Sequence, residues 1–130
     1  VAVARENAAL CGTADGAAFR VGDWGAGLDE RFDLILCNPP YISTSAILPP
    51  DVARHEPAGA LFAGPEGLDD YRRIAPQLAG LLAPDGIAIF EIGFDQAMSA
   101  GPLLRDAGYK VGVGHDLGGR ARALIITIAE

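Results

Sequence analysis

Six residues of strand character, Phe32-Asp33-Leu34-Ile35-Leu36-Cys37, run without a break into Asn38-Pro39-Pro40-Tyr41. This junction constrains the fold more than any other stretch of the chain. Apolar, β-branched and aromatic content over so short a run is most simply a buried strand of a parallel sheet. Neither proline can donate to a ladder, so the strand must stop there. Residues 42–67 carry prolines and glycines with no sustained period and read as a long functional loop, since structureless loops of that length are otherwise uncommon. Helical spacing returns over 68–82 and is closed by Leu81-Leu82-Ala83-Pro84-Asp85-Gly86. Residues 87–92 form a second buried strand. Residues 94–107 read as mostly helix, with Pro102 a point of break or restart. Residues 109–113 and 123–128 are two further strands, joined by a turn rich in glycine and arginine.

Upstream, residues 1–10 have no N-cap before them and read as a helix already under way, ended near Gly12. Residues 18–21 are a short strand, and Gly22-Asp23-Trp24-Gly25-Ala26-Gly27 is a glycine-rich loop. Helices alternating with apolar strands mean an α/β fold with a mostly parallel sheet. In such sheets ligands bind beyond the carboxyl ends of strands, at the topological switch point. Asn38 and Asp23 both lie just past strand ends, which puts them on the expected binding rim.

Composition removes several classes of function. A chain of 130 residues is one domain at most, and with half its residues apolar and 21% charged it buries a core. Its longest apolar stretches fall far short of a membrane span. No charged-then-apolar leader opens it. Cys11 and Cys37 have neither CxxC spacing nor companion histidines, so no disulfide framework or metal site is expected, and a reducing cytoplasm is the default. A net charge of −7 argues against direct gripping of nucleic-acid phosphates and leaves protein or small-molecule substrates open.

Asn38-Pro39-Pro40-Tyr41 carries chemistry suited to a planar nitrogen. The lone pair of an amide nitrogen is delocalised into its carbonyl, so a site that alkylates it must hold both N–H groups and aim the nitrogen at an electrophile. Asn38 offers a side-chain carbonyl and Pro39 a backbone carbonyl. The two prolines stiffen the segment and preorganise those acceptors. Tyr41 has a ring that can lie flat on a planar group and exclude water. Proximity and in-line orientation then supply most of the rate, up to roughly 7–11 kcal/mol in favourable cases. A proline-rich turn that merely ends a strand is the alternative.

Residues 32–41 resemble the catalytic motif of the class I amino-methyltransferases, which act on adenine and glutamine nitrogens. His55-Glu56-Pro57-Ala58-Gly59-Ala60-Leu61, followed by Gly64-Pro65-Glu66-Gly67-Leu68-Asp69-Asp70-Tyr71-Arg72, is similar to the HemK-type peptide chain release factor glutamine N5-methyltransferases. Asp85-Gly86 leading into Ile89-Phe90-Glu91-Ile92-Gly93, and residues 116–122, fit the same family. The resemblance implies a Rossmann-like fold and S-adenosylmethionine as methyl donor. It also implies that Asn38 and the Pro39 carbonyl grip the glutamine amide, with Pro40 and Tyr41 completing the catalytic segment and Tyr41 walling the pocket. Asp23, Trp24 and Asn38 fall on the cofactor side, where a carboxylate suits the exocyclic amine of adenine and an indole its face. The residues themselves leave Trp24 open to being a loop anchor and Asp23 to being a turn cap. For His55 and Glu56 the expectation is loop bracing, because amide methylation loses its proton after transfer. Tyr71 and Arg72 are expected to be structural, and Arg120 and Arg122 to form a solvated turn.

Two parts of the family pattern have no match: the glycine-rich cofactor loop after the first strand, and the acidic residue that closes the second. Residues 1–10 resemble the helix that follows that second strand. The expectation is therefore the carboxy-terminal part of the catalytic domain over residues 1–130, without the first two strands. In the implied strand order 3-2-1-4-5-7-6 their loss leaves a gap between strands three and four. The substrate expected is a release factor glutamine. The alternatives are a ribosomal-protein glutamine, an adenine N6 amine, or a non-catalytic binding module of the same fold.

Overall fold

The computed structural model describes residues 1–129. Four strands form one sheet in the order β1-β2-β4-β3: β1 Phe32–Cys37, β2 Leu82–Glu91, β3 Tyr109–His115 and β4 Ala121–Ile128. β1 pairs parallel to β2, whereas β4 runs antiparallel to both β2 and β3. The expectation of a mostly parallel sheet is corrected here: one of the three pairings is parallel. The order itself is the 4-5-7-6 half of the strand order implied above. The late strand enters between its predecessors because the tight turn at 116–120 returns it directly beside β3.

Two helices cover one face of the sheet. α3 spans Asp69–Leu81 and α4 spans Ala97–Asp106, after α1 Ala2–Leu10 and the short α2 Pro50–His55. Ile74, Ala75 and Leu78 of α3, with Ala100 and Leu104 of α4, close over Ala88, Phe90, Leu124 and Ile126. Successive strand residues point to opposite faces, so these inward residues alternate with outward ones. The outward set is bare: Leu34 and Leu36 are 55% and 70% exposed, with Ile87 and Ile125 also exposed. β1 is therefore not the buried strand expected from its composition. It lies at the edge of the sheet with β2 as its partner.

The prolines act differently from expectation. α4 runs unbroken through Pro102, because Gly101 and Leu104 on either side of it are buried against the sheet and packing offsets one lost backbone bond. β2 begins at Leu82 rather than near residue 87, with its register to β1 shifting between Phe32 and Leu34. Gly86 is needed in that irregular stretch, since a Cβ there would sit 2.6 Å from the Phe32 carbonyl oxygen. Residues 18–21 form no strand. A strand exists through its ladder, and none of the four strands offers this exposed segment a free edge that it pairs with.

Phe90 sits at the centre of the core, fully buried and tilted 31° to Tyr71 at a ring-centroid distance of 6.4 Å. Phe90→Ala is expected to lower the unfolding free energy by about 3–5 kcal/mol, a large share of the ~5–15 kcal/mol that domains possess. Urea denaturation checks this through a fall in midpoint at unchanged slope.

Candidate functional site

β1 delivers Asn38 to its carboxyl end, where the side chain is exposed and the ring of Pro39 beneath it is buried. The segment is clamped from behind. Tyr41 donates its hydroxyl to Glu91 Oε1 at 3.0 Å, and its carbonyl accepts from Gln96 Nε2 at 2.9 Å. Gln96 is buried, and it also donates to the Gly67 carbonyl at 3.2 Å and accepts from the Gly93 N–H at 2.9 Å. One amide thus ties the 38–41 segment to the turns at 64–67 and 93–96. Burial, and then the hydrogen bond to Glu91, push the Tyr41 phenol above its ordinary value. It is a neutral donor and structural tether near neutral pH.

The loop after residue 21 is anchored on α3. Trp24 has a positive φ of 56°, unusual for a bulky residue. Its indole Nε1 donates to Asp70 Oδ1 at 3.3 Å, while the Gly25 N–H donates to Gln77 Oε1 at 2.9 Å. The Arg73 guanidinium joins the two ends of this contact, reaching Asp23 Oδ1 at 2.5 Å and Asp70 Oδ1 at 3.1 Å. Burial, followed by the charge of Asp70, pushes the thiol of Cys37 up to about 11. Cys37 is therefore protonated at neutral pH and offers no thiolate nucleophile.

Asn38, Pro40, Asp23 and Trp24 line one open cleft of about 390 Å³, together with Asp70 and Arg73. The structure thus brings together residues 15 positions apart in the chain that were singled out for different roles. Tyr41 is not among the residues lining that cleft; it stands behind Asn38 on Glu91. Trp24 is both cleft wall and loop anchor, since its partly buried ring also packs on the core. Asp70, Arg73 and Gln96 escaped sequence reasoning. A helix N-terminus rich in acidic residues is ordinary, and nothing local marks a partner 46 to 55 residues away.

The loop at 42–67 is more ordered than its composition suggests. Ile42 bridges Phe62 in parallel, Thr44 N–H donates to the Gly64 carbonyl, and Ser43 Oγ donates to the Pro65 carbonyl at 2.5 Å. These contacts brace it. His55 and Glu56 are exposed at the end of α2 and outside the Asn38 cleft, and Glu56 lines a small cavity within the loop beside Leu61 and Phe62. Tyr71 is structural, being fully buried with its hydroxyl donating to the Glu91 carbonyl at 2.7 Å. Arg72 pairs with Glu66 and Asp69 at the surface. Asp116 accepts from the N–H groups of Arg120 and Gly118, which hold its carboxyl below the usual value and close the turn. Among the described residues no cluster of three or more His, Cys, Asp or Glu side chains is placed to hold a metal, and no helix is long and apolar enough to cross a membrane.

No protein-family model matches the chain. Over 111 residues, 83% of the chain, it is 48% identical to a release factor glutamine methyltransferase of Caulobacter vibrioides, and the match covers 38% of that protein. Over 128 residues, 96% of the chain, it is 44% identical to the release factor glutamine methyltransferase of Rhodospirillum rubrum, covering 39% of it. The chain belongs to the release factor glutamine methyltransferase family. It spans 38–39% of the length of these curated relatives. A ribosomal protein L11 methylase from Lactobacillus delbrueckii subsp. bulgaricus superposes on 97% of the chain and 51% of its own with a TM-score of 0.64 at 24% identity, which is a likeness of fold. The release factor glutamine methyltransferase family accounts for the α/β architecture, and the sheet is that of a class I, Rossmann-like methyltransferase.

Proposed function

We propose that the protein transfers a methyl group from S-adenosylmethionine to the side-chain amide nitrogen (N5) of a protein glutamine, and that the glutamine belongs to a peptide chain release factor. The observation that supports this most is the single cleft shared by Asn38, Pro40, Asp23 and Trp24. It sets an amide-accepting segment beside a carboxylate and an indole. That donor set suits adenine, whose amine needs an acceptor and whose ring needs an aromatic face. Asp23 keeps acceptor capacity beyond its bond to Arg73, because a carboxylate has about four lone-pair sites.

S-adenosylmethionine, when bound, supplies the electrophilic methyl. The chain does the rest by positioning. Asn38 Oδ1 and the Pro39 carbonyl accept the two amide N–H bonds and fix the plane of the substrate group. Tyr41, held by Glu91 and Gln96, keeps both prolines from shifting as charge develops. The amide becomes acidic only once it is methylated, so its proton leaves to solvent and no side-chain base is required. This is consistent with the exposed placement of His55 and Glu56 outside the cleft.

Two measurements test the reading. Labelled S-adenosylmethionine offered to a release factor, a ribosomal protein and DNA should label the release factor on glutamine, and labelling of DNA instead would overturn the assignment. For the cofactor side, Trp24→Ala should weaken S-adenosylmethionine binding by about tenfold or more, the scale of one base–aromatic stack. Trp24→Phe, which keeps a ring, should lose much less. Calorimetry checks both, and equal affinity in all three proteins would leave Trp24 as an anchor only.

A further inference from the structure

Three polar side chains on α3, Asp70, Arg73 and Gln77, each hold one residue of the loop that carries Asp23 and Trp24. Arg73 donates to Asp23 Oδ1, Asp70 accepts the Trp24 indole N–H, and Gln77 Oε1 accepts the Gly25 N–H. Spacings of three and four place the three on one stripe of the helix. The stripe is braced within itself, since Arg73 also donates to Asp70 Oδ1 and Gln77 Nε2 donates to the Arg73 carbonyl at 3.0 Å. Among the described residues none between Gly16 and Phe32 belongs to a helix or strand. α3, by contrast, is fixed on the core by Tyr71, Ile74, Ala75 and Leu78. The helix therefore lends its rigidity to the loop.

We infer that Arg73 is a positioning residue that makes the cleft select a 6-amino purine, by locking the Asp23 carboxylate where the exocyclic amine of adenine arrives. The inference rests on the function proposed above. The planar guanidinium spans two carboxylates, one nitrogen on Asp70 Oδ1 at 3.1 Å and the other on Asp23 Oδ1 at 2.5 Å, which the single nitrogen of a lysine cannot reproduce. Asp70 is buried and bonded to Trp24, so Asp23 is fixed relative to the indole as well as to the helix. With Oδ1 engaged by Arg73, Oδ2 is the oxygen presented to the base. A 6-oxo purine sets a carbonyl oxygen against that carboxylate and carries its donor one ring atom away, at N1. A carboxylate free to swing would follow that N–H. One clamped by Arg73 does not.

The test is calorimetry on the protein expressed from its complete gene, titrated with S-adenosylhomocysteine and with its 6-oxo counterpart, S-inosylhomocysteine. The parent should favour the adenine form by about tenfold or more, the scale of one hydrogen bond to a charged group. Arg73→Ala should lose about tenfold in affinity for S-adenosylhomocysteine and bind S-inosylhomocysteine as the parent does, so that the preference shrinks. Arg73→Lys should recover part of it. On an Asp23→Ala background Arg73→Ala should cost nothing further, because residues that act as one unit are not additive. The urea midpoint should stay near that of the parent, since the Arg73 side chain is 54% exposed and exposed ion pairs contribute little stability. A parent without preference, an equal loss for both ligands in Arg73→Ala, or a further loss on the Asp23→Ala background would overturn the role of Arg73 while leaving the activity standing. A fall in midpoint with the preference intact would assign Arg73 to the fold alone. A parent that does not bind S-adenosylhomocysteine would overturn both this role and the function proposed above.

Discussion

Asn38→Ala lowers methyl transfer by about two orders of magnitude or more, the scale seen on removing a preorganised polar group from a reacting centre. The expected loss is this large because nothing else on the segment replaces it. The Pro39 carbonyl can take one amide N–H, but the second would be left unpaired and the nitrogen free to rotate away from the methyl donor. Asn38 is exposed, so the substitution leaves the core untouched and the variant should unfold like the parent. S-adenosylmethionine affinity should change far less than turnover, since Asp23 and Trp24 remain in place. Single-turnover kinetics on a release factor, with calorimetry on the cofactor, separate the two effects. Turnover close to that of the parent would remove Asn38 from the mechanism.

Gly67→Ala strikes the same segment from behind. Gly67 has φ +70°, and a Cβ there would lie 2.3 Å from the Tyr41 carbonyl oxygen and 2.9 Å from Gln96 Nε2. A left-handed backbone costs a non-glycine residue roughly 1–2 kcal/mol. Overpacking adds typically ~1–3 kcal/mol. To relieve the contact, Tyr41 must move, which breaks its bond to Gln96 and carries Pro39 and Asn38 with it. A displacement of about 1 Å at a reacting group can cost around a hundredfold in rate. The variant should therefore lose both stability and turnover, with urea denaturation and methyl transfer as the readouts. Gly80→Ala is the control: it lies in α3 with nothing within 4 Å of a new Cβ, and should stabilise by about 0.5–1 kcal/mol. If Gly67→Ala behaved like Gly80→Ala, the clamp would not position the site.

Much of the architecture was legible locally. β1 occupies the six residues that immediately precede Asn38, and α3 and β4 fall within a residue or two of their periodic patterns. Asn38 and its prolines were legible for the same reason, since a strand stopped by two prolines needs no distant partner to be recognised. Residues 18–21 failed because a strand is a property of a ladder, and no ladder reaches them. The burial of β1 failed because composition reports what a strand can bury, and Leu34 and Leu36 face no covering helix. In the loop at 42–67, irregular spacing hid an order supplied by Phe62 and Gly64 from across the loop.

The sequence alone determined the alternation of elements, the end of β1 and the family resemblance, and it is the source of the amide-accepting role proposed for residues 38–41. All of these depend on neighbours in the chain. Only the tertiary structure decided which face of the sheet is covered and that Asp23 and Trp24 share a cleft with Asn38. It alone revealed that Asp70, Arg73, Gln96 and Gly67 hold those groups in place. Hydrogen bonds and close packing over tens of residues act through space, and no local pattern of side chains records them.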